Sequence, residues 1–340
     1  MEERYALRMS NICVERAGSK VLSFPKLEVL ENENIAVIGP NGSGKSSLLL
    51  AAALLIPSRE GLIEYFGQRV SRTNRRKFRR MASISFQNPT LLDRPIGDNV
   101  KLAMRLRGFD KEAAARESSL WLERLGADQI SKKKPHQLSG GEMQRASLAR
   151  SFSLAPKLLF LDEPFGAIDP VDKVSISRAL RESLNETKAA SIIVTHDVGE
   201  AAVLASKLAI LVDGVITQFG TIGEVLLKPN SSTVATLVGH NVFPIEDFVK
   251  AFRFFPPSDI EEYQAVSLPS HAIHATRDPN GRAVIVRYEA TTAGMNVVLA
   301  FSGIELSVVT SPDSVGIGQW AIGQRIAIEL EPNKIVWLAK

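Results

Sequence analysis

Gly39-Pro-Asn-Gly-Ser-Gly-Lys-Ser-Ser47 has the residue types and spacing of a phosphate cradle: glycine, four residues, then Gly-Lys-Ser. Gly42 and Gly44 let backbone N–H groups close on the phosphates, while Gly39, Pro40, Asn41 and Ser43 complete the loop. Lys45 is placed to reach the β- and γ-phosphates, Ser46 to give its hydroxyl to Mg²⁺, and Ser47 to continue into a helix whose positive end faces the anion. A second stretch, Lys157-Leu-Leu-Phe-Leu-Asp162-Glu163-Pro164, is an apolar run ending in two acids. Adjacent acids suit phosphate hydrolysis, one on a metal and the other orienting the attacking water. Acids after a strand are otherwise commonly a turn or a helix cap, but the cradle upstream favours the chemical reading. In Leu138-Ser139-Gly140-Gly141-Glu-Met-Gln-Arg145, Ser139, Gly140 and Gly141 open a helix, where a hydroxyl and exposed amides can meet a phosphate. The same string also reads as a plain N-cap, and the two readings are compatible.

These residues need a scaffold that presents them together. Asn34-Ile-Ala-Val-Ile-Gly39 reads as a strand feeding the glycine loop, and Ser46–Ile56 as a helix rich in Leu and Ala. Short strands are expected over 5–38 and 81–87, then helix over 98–126 and 142–154. Strands at 157–161, 190–195 and 208–212 alternate with helices at 175–187 and 200–206. Apolar strands alternating with helices predict a parallel α/β sheet covered on both faces. Past Lys228-Pro-Asn-Ser-Ser232 the pattern changes. Residues 233–263 look helical or irregular and, with Phe254-Phe-Pro-Pro257, read as a linker. From Ser267 short strand-like runs separated by turn residues predict a small all-β barrel or sandwich. The expected domains are therefore 1–232, a linker 233–263, and 264–340.

Composition narrows the class. Among 340 residues, Lys+Arg 41 against Asp+Glu 37 leaves +4, too weak a bias to call for nucleic acid. The basic run Arg72, Arg75, Arg76, Lys77, Arg79, Arg80 has no interleaved aromatic beyond Phe78 and reads as a solvated helix face. A single cysteine, Cys13, excludes an internal disulfide framework and reads as a small buried hydrophobe. The start, Met1-Glu-Glu-Arg, is acidic where a signal peptide needs a basic beginning. The longest aliphatic run, Leu48–Ile56, is far short of the roughly 20 residues that span a bilayer. The expectation is a cytoplasmic chain that moves nothing across a membrane alone.

The ordered set of motifs over residues ~5–228 resembles the ATP-binding-cassette (ABC) ATPases. The resemblance implies a P-loop NTPase cassette with a parallel-sheet core, a β subdomain and a helical subdomain. It implies ATP and Mg²⁺ as cofactors, Asp162 as the metal-holding carboxylate and Glu163 as the catalytic glutamate. His196, in Val194-Thr-His-Asp197, resembles the switch histidine at the γ-phosphate. Gln87, in Ser85-Phe-Gln-Asn88, resembles the glutamine that touches Mg²⁺ or the water and links to a membrane partner. Gly166-Ala-Ile-Asp169 resembles the loop that crosses between subunits. In that family ATP lies between the P-loop of one subunit and the Ser139-type signature of another, so this chain implies a head-to-tail pair with a second copy. One departure concerns adenine. The family stacks an aromatic ring on it from a loop that here reads Val14-Glu-Arg-Ala-Gly18, where Arg16 stands nearest the position. A guanidinium can stack on a π face, but a surface arginine with adenine held elsewhere fits equally.

The β-rich tail resembles the TOBE or OB-like barrel appended to importer ATPases, and Leu237-Val-Gly-His-Asn-Val-Phe243 onward looks most like tungstate and molybdate importers. The implied partners are transmembrane permease subunits and, indirectly, an extracytoplasmic solute-binding protein, with no nucleic acid. Sulfate, iron, sugar or polyamine import remain open, as does a soluble non-transport ABC ATPase. That last class usually carries two cassettes, a coiled coil or zinc-binding cysteines, none of which is visible here.

Overall fold

The computed structural model describes residues 4–254, 259–291, 294–310 and 320–339, so Phe255-Pro-Pro257 of the expected linker lie outside the described residues. Contacts divide the chain into two compact units, Met1–Phe219 and Gly220–Lys340.

In the first unit, β1 (Tyr5–Arg16) and β2 (Ser19–Leu30) form a long antiparallel hairpin, joined by β4 (Glu60–Tyr65) and β5 (Gln68–Arg69) in the order β2-β1-β4-β5. The expected short strands at the N-terminus are thus two long ones. Ala17 and Gly18, both at positive φ, make the tight turn between them. A six-stranded sheet holds β3 (Asn34–Ile38), β6 (Ala82–Ser85), β7 (Leu158–Asp162), β8 (Ala190–Val194), β9 (Lys207–Val212) and β10 (Val215–Thr221), in the order β10-β9-β3-β8-β7-β6. The pairs β6–β7, β7–β8, β8–β3 and β3–β9 are parallel, as the alternation of strands and helices predicts.

Every residue of β7 and β8 is buried, because both faces of the sheet are covered. Alternation then sends successive side chains into different cores. Leu158 and Phe160 join Leu48, Leu49 and the hairpin residues Leu7 and Leu22 on one face. Leu159 and Leu161 join Val100, Leu122, Leu148 and Leu180 from the helices on the other. The helical stretch expected over 98–126 is two helices, Ile96–Arg107 and Lys111–Arg124. Gly108 at φ 101 ends the first, and the Asp110 carboxylate accepts from the Ala113 N–H at 2.7 Å to start the second. They pack on the helix Gly140–Ser153, where Trp121 stacks on Phe152 with ring centroids 5.1 Å apart.

The basic run expected to be a solvated face does something more specific. Its short helix, Arg75–Arg79, sends Arg79 Nε to the Leu54 carbonyl at 2.9 Å and the Arg75 guanidinium to that of Ile56 at 3.2 Å. Two of the arginines therefore satisfy carbonyls just beyond the end of the helix that follows the glycine loop.

The second unit is built of antiparallel strands, consistent with a small all-β domain. One sheet is β11 (His240–Pro244), β12 (Tyr263–Pro269) and, from the far end of the chain, β18 (Val336–Ala339), with β12 central. The other contains β13 (Ile273–Arg277), β14 (Ala283–Thr291), β15 (Gly294–Phe301), β16 (Ile304–Thr310) and β17 (Arg325–Leu330) in the order β13-β17-β14-β15-β16. The stretch 233–263, read as a linker from sequence, holds β11 and the helix Ile245–Phe252. From it Phe243 and Phe248 enter this unit's core, and Phe248 touches Phe252, Phe254 and Trp337. Replacing Phe248, which is fully buried, by alanine should cost about 3–5 kcal/mol. Urea unfolding followed by tryptophan emission is expected to show that unit losing structure at lower denaturant.

Candidate functional site

Parallel pairing sets the positions of the chemical residues. Val194 of β8 is level with both Val37 of β3 and Asp162 of β7. The ladder continues past the strand ends, with the Thr195 N–H on the Val37 carbonyl and the Glu163 N–H on that of Val194. The glycine loop, the acid pair and His196 therefore leave the sheet at the same edge. That edge, at the carboxyl ends of parallel strands, is where open α/β sheets place their ligands.

The pocket there has a volume of about 310 Å³ and includes Asn41, Gly42, Gly44, Lys45, Ser46 and Ser47. Asp162, Glu163, Gln87 and Arg16 complete its polar lining. Gly39 is fixed by packing, since a Cβ there would stand 2.0 Å from the Leu211 carbonyl oxygen. Lys45 Nζ donates to the carbonyls of Gly39 at 2.8 Å and Pro40 at 3.0 Å, so the lysine arches over its own loop. The Ser43 hydroxyl, inside the loop, is buried and meets no hydrogen-bond partner among the described residues. A loop with a partnerless buried hydroxyl and a lysine, at the start of a helix, fits a phosphate.

Burial shapes the charges. It draws the Lys45 ammonium below its ordinary range, partly offset by Glu163 and Asp162. Burial pushes Asp162 up, opposed by a hydrogen bond from Ser46 and by Lys45. Burial also raises Glu163, opposed by the charge of His196 and its hydrogen bond, while Glu200 adds to the rise. His196 Nδ1 lies 2.8 Å from Glu163 Oε2, and the imidazole is 71% exposed against 11% for the carboxylate. Glu163 also holds a left-handed φ of 47°, uncommon for a residue with a side chain and a mark of a position the surroundings dictate.

Asp162 with the Ser46 hydroxyl offers hard oxygen donors suited to Mg²⁺. Among the described residues no group of three or more His, Cys, Asp or Glu could hold a metal ion, so an ion here must draw further ligands from phosphate and water.

Ser139, Gly140 and Gly141 are not part of this pocket's lining. Ser139 caps the helix Gly140–Ser153 through a reciprocal box: its hydroxyl accepts from the Glu142 N–H, and the Glu142 carboxylate accepts from the Ser139 N–H. A Cβ on Gly140 would come 3.3 Å from Ala167 Cβ, so the 166–169 segment backs the start of this helix. Sequence reasoning missed the polar groups behind His196. Asp197 caps the helix Val198–Leu204 by accepting from Gly199 and Glu200 N–H groups, and the Thr195 hydroxyl donates to Glu200. Asp197 ahead of Glu200 is a cap signal the sequence did contain. Lys173, which pairs with both acids from another helix, leaves no local signature.

Comparison with known proteins matches residues 22–166 to the ABC transporter family. The Fe(3+) ions import ATP-binding protein FbpC of Streptomyces coelicolor is 33% identical over 329 residues, spanning 96% of this chain and 87% of the relative. The chain belongs to the ABC transporter family. It is an ATPase of the importer-type cassettes. The sulfate/thiosulfate import ATP-binding protein CysA 1 of Shewanella oneidensis is 30% identical over 98% of this chain and 86% of its own length. The tungstate uptake ATP-binding protein TupC of Peptoclostridium acidaminophilum is 33% identical over 61% of this chain and 95% of its own length. Tungstate is thus one cargo among several in these relatives. Over 64% of this chain the fold is similar to that of a solved ATP-binding cassette, MJ0796, whose own structure is a dimer bound to ADP and Pi, with a TM-score of 0.59, 24% identity and 98% of that chain covered.

In this ABC cassette Gly44 sits at φ 101°, with the Val21 carbonyl oxygen 2.7 Å from where a Cβ would stand. Gly44→Ala should bring strain of about 1–3 kcal/mol, enough to weaken ATP binding about tenfold or more. Fluorescent-nucleotide titration beside circular dichroism checks that the loop, not the fold, is lost.

Proposed function

We propose that this chain is the ATP-hydrolysing subunit of an importer that acts as a head-to-tail pair on separate permease subunits and takes up an oxyanion. The observation that carries the reading is the pocket at the sheet edge, which joins the P-loop to Asp162 and Glu163 and leaves Ser139-Gly140-Gly141 outside it. One chain then holds two different half-sites, and a second copy completes both. The signature residues support this, because Ser139 and Gly140 at the helix start are exposed.

In this reading the P-loop amides and Lys45 bind the phosphates, while Ser46 and Asp162 hold Mg²⁺. When bound, that ion neutralises phosphate charge. Glu163 accepts a proton from the attacking water or orients it, and His196 fixes the carboxylate through the 2.8 Å contact. Gln87, exposed in the same pocket, senses the metal or the water. Arg16, from the tip of the β1–β2 hairpin, is the side chain placed for the adenine face.

A groove of about 340 Å³ beside the Gln87 segment supports a membrane partner, for it is lined by Leu55, Arg79, Ile84, Phe86, Arg107 and Arg150. Leu55 is 42% and Phe86 36% exposed. Burial draws the Arg107 and Arg150 guanidiniums below their ordinary range. The Arg107 guanidinium donates to the Arg80 and Ala82 carbonyls and that of Arg150 to the Thr90 carbonyl, so among the described residues neither meets a carboxylate. An amphipathic permease helix carrying a carboxylate fits that chemistry. No helix among the described residues is long and apolar enough to cross a membrane. Attachment at the cytoplasmic face, through permease subunits served by an extracytoplasmic binding protein, accords with this.

Glu163→Gln is expected to retain ATP affinity while turnover falls by about 10²–10⁴-fold, with ATP-dependent dimers accumulating on a sizing column. Wild-type turnover in that variant removes Glu163 from the role. For the cargo, the sulfate and tungstate relatives support an oxyanion and the iron relative supplies the competing reading. Cells lacking this chain should lose uptake of labelled sulfate, molybdate or tungstate; loss of Fe(3+) uptake with oxyanion uptake intact overturns the oxyanion assignment.

A further inference from the structure

The first turn of the helix Pro170–Thr187 follows directly on the Gly166–Asp169 segment and faces two other parts of the site. Asp172 pairs with Arg145 of the signature helix, Oδ2 to guanidinium nitrogen at 3.2 Å. The next residue, Lys173, pairs with two acids behind His196: Nζ lies 2.7 Å from Glu200 Oε1 and 3.2 Å from Asp197 Oδ2. Both carboxylates are only 6% exposed, and Lys173 is 26% exposed. The second oxygen of each acid is also engaged. Glu200 Oε2 accepts from the Thr195 hydroxyl, and Asp197 Oδ1 accepts from the Gly199 and Glu200 N–H groups. The Thr195 oxygen in turn accepts from the Asp197 N–H. Thr195, Asp197 and Glu200 thus bracket His196 with a buried polar net that an ammonium from a different helix enters.

We propose that Lys173 is a positioning residue for ATP hydrolysis. By pairing with both Asp197 and Glu200 it holds the Thr195–Asp197 turn, and through that turn His196 against Glu163. Because Asp172 ties the same helical turn to the signature helix, the setting of His196 in one half-site is linked to the placement of Ser139 in the other. Two buried carboxylates without a counter-ion would repel each other, and the turn between them would relax toward water. The imidazole is exposed, and among the described residues its hydrogen bond is the one to Glu163. Lys173, Thr195, Asp197 and Glu200 are not part of the phosphate pocket's lining. Lys173 should therefore act on the chemical step and leave affinity alone. This inference rests on the reading of Glu163 and His196 given above.

The test is steady-state ATP hydrolysis by the full chain carrying Lys173→Met, Lys173→Arg or Glu163→Gln, with thermal melting measured in parallel. Lys173→Met is expected to lower kcat by about 10- to 100-fold while KM for ATP stays within about twofold. Lys173→Arg, which keeps the charge and two-acid geometry, should recover most of the loss. If Lys173→Met does not fold, the double variant Lys173→Met with Glu200→Gln returns the cluster to its native net charge and is expected to fold with the same low kcat. Wild-type kcat in Lys173→Met, or in that double variant where it is the one measured, overturns the proposal. So does a rise in KM that accounts for the whole effect, or no recovery in Lys173→Arg. Glu163→Gln separates the two levels of argument: if it is inactive while Lys173→Met is normal, only the role of Lys173 falls. If Glu163→Gln turns over normally, the underlying reading falls and the role of Lys173 with it.

Discussion

The register among β3, β8 and β7 is the constraint on which the rest depends. Val37, Val194 and Asp162 stand level across three parallel strands, and each chain leaves the sheet within two residues of that line. Side chains with period two cannot tolerate a slip of one residue, because every buried valine and leucine would change face. The two separate cores under and over the sheet make such a slip costly. Hydrophobic packing thereby aligns groups that are themselves polar. The carboxylates need no binding energy of their own to find the loop, because the strands deliver them there.

Electrostatics at that edge then follow from burial. A lysine pushed toward neutrality and two carboxylates pushed toward protonation are a strained set of charges. Each shift is partly opposed by the neighbouring group of opposite sign, so the cluster is self-compensating before any substrate arrives. A doubly charged cation and a polyphosphate bring in both signs at once and suit a site held in that balance. The exposed imidazole at its rim is the least constrained member, and its place is set from behind, by groups that never enter the pocket.

Much of this was legible in the sequence because it is local. A glycine loop at fixed spacing, an apolar run ending in Asp162-Glu163, and alternation of strand and helix patterns are all written within short windows. The Ser139–Glu142 capping box is of the same kind. Arg79 reaching Leu54, Arg145 reaching Asp172 and Lys173 reaching Glu200 are not, since each joins residues far apart in the chain or on different elements. The basic run looked like a solvated surface because charge alone does not reveal that a carbonyl lies within reach. Residues 233–263 show the converse. Their mixed apolar and proline-containing pattern has no clear period, and only the aromatic packing of Phe243 and Phe248 reveals that they enter a core.

The last strand of the chain bears on how this second unit can be gained or lost. Since β18 pairs with β12, which also pairs with β11, the end of the polypeptide is woven into the beginning of its own module. A cut at residue 264 would strip β11 of its neighbour and bare Phe243 and Phe248, leaving a sticky edge prone to self-association. Excision near Gly220, where the contacts divide, leaves no such remnant.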